Sequence, residues 1–102
     1  MKTREELVNL GLEGYKADEV MMLEERMLET AVRFRFTKKD GSLREAVGTL
    51  VREKMVKPDG SKWEPVSDKP RREVPTLVNF WDLTVQDWRS FNVFNLVAVE
   101  GR

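Results

Sequence analysis

Val32-Arg33-Phe34-Arg35-Phe36-Thr37-Lys38-Lys39-Asp40-Gly41-Ser42-Leu43-Arg44-Glu45-Ala46-Val47-Gly48-Thr49-Leu50 is the stretch on which the fold turns. Val32, Phe34 and Phe36 alternate with Arg33, Arg35 and Thr37, the pattern of a strand half buried in an antiparallel sheet. Lys38-Lys39-Asp40-Gly41 follows at once. A glycine at the end of such a turn takes a positive φ without a Cβ clash, which predicts a tight hairpin into a second strand over 42–51.

Upstream the periodicity is helical. Thr3 followed three residues later by Glu6 has the pattern of a capping box, and Leu7 and Leu10, with Val8 beside them, give a short apolar stripe. Gly11 and Gly14 are read as breaks, after which a longer helix is predicted over 18–29, with Val20, Leu23, Met27 and Ala31 at helical spacing. Downstream, residues 52–75 hold all four prolines and a dense mixture of charges, so they read as a long loop rather than a sheet interior. Alternation resumes over 76–83, 88–92 and 96–100, with a polar turn at 84–87 and a single tight turn at 93–95. No internal repeat is found, and no low-complexity tract outside the loop.

Hairpin, long loop, strand, turn, strand, one-turn helix, strand is the order of a small SH3-like or Sm-like barrel, whose closure removes exposed strand edges. The expected fold is therefore α+β: an N-terminal helical segment over 1–30, then a five-stranded SH3/Sm-like barrel over 31–102, the whole forming a single domain. A length of 102 residues supports one hydrophobic core and not two.

The net charge is zero, yet its distribution is uneven. Residues 1–30 carry eight acids against four bases, and residues 31–102 carry 14 bases against ten acids. The acidic helices are expected either to mask a basic face of the barrel or to cap its open end. The chain has no Cys and no His, which excludes disulfides, Cys/His zinc sites, thiol nucleophiles and imidazole relays. Glu24 and Glu25 are adjacent and point to different sides of a helix, a poor acid/base pair. No phosphate-binding glycine loop occurs either. We therefore expect no catalytic residues, no metal site, no cofactor and no enzyme activity. No apolar run approaches a membrane span and the first residues form no signal core, so a cytoplasmic location is expected.

The hairpin stretch quoted above, with Val78-Asn79-Phe80-Trp81-Asp82-Leu83, Trp88-Arg89-Ser90-Phe91 and Leu96-Val97-Ala98-Val99, resembles the small WYL-like, Sm-type SH3 barrel family of phages and bacterial mobile elements. The resemblance covers about two thirds of the chain and implies an SH3-like barrel without an assigned activity. More distantly, Trp81-Asp82-Leu83 and Arg89-Ser90-Phe91 are similar to the core of the larger WYL domains of bacterial transcription regulators, which implies an anion-binding role for Arg89. Asp82 stands where those domains place an aromatic, and Asn92 where they tend to carry a second Arg.

The candidate nucleic-acid-binding residues are Arg33, Arg35, Lys38, Lys39, Arg44, Trp63 and Arg89. Cations beside aromatic rings are how small barrels hold single strands, by phosphate neutralisation and base stacking. Arg33 and Arg35 also suit a solvated strand face, with Glu45 as a cross-strand partner. Trp63, among Lys57, Lys62, Lys69, Arg71 and Arg72, is either tucked onto the barrel or offered to a partner. The expected partners are single-stranded nucleic acid or, alternatively, a host or phage protein bound through the acidic helices or the 52–75 loop. Oligomeric state is left open.

Overall fold

The computed structural model describes residues 1–65 and 73–100. Thr3 starts the first helix, α1 (Arg4–Asn9): its hydroxyl accepts from the Glu6 backbone N–H and donates to Glu6 Oε1, both at 3.2 Å. Gly11, at φ +113°, ends it. Leu12 N–H returns to Leu7 O and Gly11 N–H to Val8 O, the paired bonds of a Schellman stop, with Leu7 and Leu12 buried against the core.

The second helix, α2 (Gly14–Met27), begins four residues before the expected position 18. Gly14 is its first residue and not a break, because in the first turn its N–H needs no intrahelical acceptor and the apolar period already runs through Ala17. Ala17, Val20, Leu23 and Met27 form the buried stripe.

The remaining chain forms β1 (Val32–Thr37), β2 (Leu43–Thr49), β3 (Leu77–Asp82), β4 (Asp87–Asn92), a one-turn 3-10 helix (Val93–Asn95) and β5 (Leu96–Val99). All pair antiparallel in one sheet of order β4-β3-β2-β1-β5, the succession a small barrel requires. In β5 the partners of Arg35 and Phe36 are Ala98 and Leu96, so Val97 is an extra, outward residue that bends the strand along the barrel wall.

Phe34, Phe36, Phe80 and Phe91 fill the interior, Phe34 meeting Phe80 edge-on at 5.0 Å and Phe36 stacking on Phe91 at 5.1 Å. Leu7, Leu12, Ala17, Val20, Leu23 and Met27 complete the same cluster from the helices. The helices thus close the barrel's core, on the opposite face of β1 from Arg33 and Arg35, and do not mask those side chains. Leu50 N–H donates to Met27 O at 2.8 Å, and the buried Thr49 hydroxyl lies within hydrogen-bond reach of Met27 O and Thr30 O. Among the described residues, the buried side chains of the helices and of the strands form one core.

The segment predicted as a continuous loop is organised over its described portion. A 3-10 turn (Arg52–Lys54) leads into a miniature hairpin in which Val56 bridges Lys62 and Trp63 N–H donates to Met55 O at 2.8 Å. Its turn, Lys57-Pro58-Asp59-Gly60-Ser61, repeats the chemistry of Lys38-Lys39-Asp40-Gly41-Ser42. In both, the Lys N–H donates to the Ser carbonyl at 2.8 Å and the Gly N–H to the Lys carbonyl at 2.9 Å. In both, the aspartate accepts from the Ser N–H at 2.9 Å and the Ser hydroxyl at 2.6 Å. The glycines sit at φ +85° and +88°. A five-residue Lys-x-Asp-Gly-Ser repeat is therefore present where none was expected. Pro58, at the second turn position, fits a φ near −65° and removes no needed donor. Lys69, Pro70, Arg71 and Arg72 lie outside the described residues.

Candidate functional site

The candidate residues distribute over four places. Arg33 and Arg35 point outward from β1. Arg33 Nη1 donates to Glu45 Oε1 at 3.0 Å and its Nε lies 3.6 Å from Glu100, so two carboxylates answer one guanidinium. Arg35 is exposed and makes no ion pair among the described residues. Arg44 turns inward at the barrel end, where it pairs with the fully buried carboxylate of Asp82 and lies 5.9 Å from the Phe36 ring centre. Asp82 also accepts from Thr84 N–H at 2.8 Å and so fixes the β3–β4 turn. Arg89, on the sheet-edge strand β4, donates to its neighbour's Trp88 carbonyl at 2.9 Å and approaches Asp87 at 3.6 Å.

Trp63 is tucked back. Its ring lies 5.3 Å from Trp88 and 6.2 Å from Trp81, whose own rings meet edge-on at 5.8 Å. Trp81 and Trp88 are register partners on β3 and β4, on the face away from Phe80 and Phe91. The miniature hairpin therefore docks on the outer face of the sheet through its tryptophan, and Trp63 is half-buried there.

Lys38 and Lys39 come together with a cavity. A cleft of about 540 Å³ opens at the tip of the β1–β2 hairpin, with Phe36 and Phe91 at its base and Thr37, Ser90, Asn92 and Asn95 around it. Neither lysine makes an ion pair among the described residues. Asp40 stands beside them, and the Ser42 hydroxyl, then the Ser42 N–H, hold its carboxyl below the usual carboxylate range. It therefore stays ionised, and its charge offsets part of the lysine pair. Asn92 Oδ1 accepts from Phe94 N–H at 2.9 Å, which fixes the 3-10 helix beside the cleft.

Ser90, Asn92 and Asn95 form a polar rim that is not among the candidate site residues read from the sequence, where Asn92 enters only as the position at which the larger WYL domains tend to carry a second Arg; the β4 register and the capping pattern before 93–95 are signals that place the rim there. Among the described residues no three His, Cys, Asp or Glu side chains group as metal ligands, and no helix is long and apolar enough to cross a membrane.

A five-stranded antiparallel sheet of this order, with a 3-10 turn before the last strand, defines the class: a small Sm-like, SH3-type barrel. The chain belongs to the family described as WYL_2, Sm-like SH3 beta-barrel fold, whose model matches residues 20–97. The match begins inside α2, so the second half of that helix is part of the matched unit. Neither the curated proteins nor the solved structures give a match.

Proposed function

We propose that this chain is a non-enzymatic binding protein, of the kind carried by phages and mobile elements, that holds single-stranded nucleic acid at the tip of the β1–β2 hairpin. One observation supports this: a cavity of about 540 Å³ has an aromatic base and, at its rim, two lysines with no ion pair among the described residues. Arg35, the cation of β1 that makes no ion pair among the described residues, adds a third phosphate contact on the approach to the turn. Arg33, Arg44 and Arg89 are engaged by carboxylates and contribute less. Phosphates settle on the cations while a base enters the cleft, and affinity is expected to be salt-sensitive.

The test is fluorescence anisotropy of labelled single- and double-stranded DNA and RNA at low and physiological salt. Three phosphate contacts give a slope of log affinity on log salt of about −2 for a single strand. The double variant Lys38→Glu, Lys39→Glu is expected to weaken binding about 25-fold at 0.1 M salt, the counterion-release value of two lost contacts. Both positions are exposed turn residues, so the fold is retained. No binding at low salt, or unchanged affinity in the double variant, overturns the proposal. The first of those outcomes favours a protein partner instead.

A further inference from the structure

The Lys-x-Asp-Gly-Ser turn occurs twice, and each copy stands beside an aromatic-lined cavity. The first copy borders the cleft over Phe36 and Phe91. The second, through Lys57 and Pro58, borders a cavity of about 300 Å³ whose walls include Trp63, Trp81 and Gln86. Gln86 holds this second site together. It occupies the left-handed region at φ +56°, from which its amide reaches across to the Val56 and Lys57 carbonyls at 3.3 and 3.5 Å.

Three features give the second cavity the chemistry of a base platform. Trp63 is half-buried and is buttressed by Trp81 and Trp88, Trp88 meeting it edge-on at 76°. The Arg52 guanidinium lies 5.9 Å from the Trp63 ring centre, and Arg52, Lys54 and Lys57 make no ion pair among the described residues. The buried Trp81 Nε1–H has no acceptor there, and a base edge carries acceptors. Opposing charge is limited, because Asp87, also in the cavity wall, approaches Arg89.

We infer that the second turn and its tryptophans form a second contact for the same single strand, an unpaired base stacking on Trp63 while Lys57 and Arg52 take a phosphate. This rests on the nucleic-acid reading above and adds to it a two-point engagement built from one repeated turn.

All three tryptophans of the chain lie in this cluster and none lies in the first cleft, so intrinsic emission reports on the second site alone. A fluorescein-labelled oligothymidylate titrated with the full chain gives anisotropy for binding anywhere; the unlabelled strand gives tryptophan quenching for binding here. The expected result is quenching that saturates in parallel with the anisotropy. Trp63→Leu is expected to weaken affinity about tenfold, the order of one lost stacked base. Lys57→Glu, on an exposed turn where refolding is not at issue, is expected to lower the salt slope by about 0.7. A rise in anisotropy without quenching, with affinity and slope unchanged in Lys57→Glu, overturns the second site and leaves the first standing. No rise in anisotropy at low salt overturns the first reading and this inference together.

Discussion

Arg44 and Asp82 meet at the end of the barrel with the carboxylate shielded from solvent and the guanidinium about three-quarters shielded. Their positions are 38 residues apart in sequence, so neither side chain announces the other. Desolvating two charges is costly, and what keeps the pair in place is that each is the other's compensation. Arg44→Ala is therefore expected to lower stability by about 3 kcal/mol, the cost of leaving a buried carboxylate unpaired, as read from urea unfolding. The pair Arg44→Met with Asp82→Asn is expected to recover most of that loss, since the introduced amide oxygen would still accept from the Thr84 N–H. Equal destabilisation in the single and double variants would show that the ion pair is not what matters. An oligonucleotide assay on Arg44→Ala alone reads unfolding as much as contact. The same holds in milder form for Arg33, whose partner Glu45 is 12 residues away. A sequence lists cations but not their counter-ions, and that is why the candidate site was only partly legible: Lys38 and Lys39 have no ion pair among the described residues, and the one carboxylate of their turn is already committed to Ser42.

At the scale of elements, two glycines in regular structure have opposite meanings. A Cβ on Gly48 in β2 would lie 2.7 Å from Phe80 Cδ2, 3.0 Å from Phe34 Cε1 and 3.2 Å from Met27 Sδ, so side chains from both flanking strands, β3 and β1, and from α2 converge there. Gly48→Ala is expected to cost about 1–3 kcal/mol through overpacking. At Gly14 the close neighbour is only the tip of Arg4, a flexible side chain whose partner Asp18 is itself exposed. Gly14→Ala is expected to raise stability by about 0.5 kcal/mol by restricting the unfolded chain. Urea midpoints that move in the same direction for both substitutions would refute this contrast. The β1–β2 hairpin was legible because alternation and an Asp-Gly turn are local properties, and β3, β4 and β5 appear within a residue or two of their expected bounds. The start of α2 differs from its expected position because a glycine disfavours a helix interior, whereas Gly14 stands in the first turn. The miniature hairpin is hidden in the sequence by prolines and charge density, although its Asp59-Gly60 carries the same turn signal as Asp40-Gly41 in the turn at 38–41. That hairpin needs Trp63 to find Trp81 and Trp88, a contact no local pattern contains.

For the molecule as a whole, the start of the chain, α2 and the segment before β3 are clasped by one buried lysine. The Lys2 backbone N–H donates to Glu24 Oε1 at 3.3 Å, while its ammonium reaches Glu73 Oε1 at 3.4 Å and Val74 O at 3.2 Å. Glu24 is only 7% exposed. Burial pushes its carboxyl above the ordinary value, against the opposing pull of the Lys2 N–H and the Lys2 charge. A carboxyl raised in the folded state contributes stability that is fully present below the unfolded pKa and is lost as pH rises through the folded one. Glu24 thus weakens the clasp at neutral pH relative to acid. Glu24→Gln keeps an acceptor for the Lys2 N–H and removes the buried charge. The variant is expected to be more stable than the parent at pH 7, with the gap closing below about pH 4, where the parent carboxyl is protonated as well. Paired urea titrations at the two pH values measure this. A gap that persists unchanged in acid would place the effect in side-chain packing, and a variant less stable at pH 7 would mean that the Lys2 charge outweighs burial. The expected sign follows from the geometry of closure: the helices complete the barrel's core, and the chain's first residues hold the helices to the sheet through a carboxylate that the same closure removes from water.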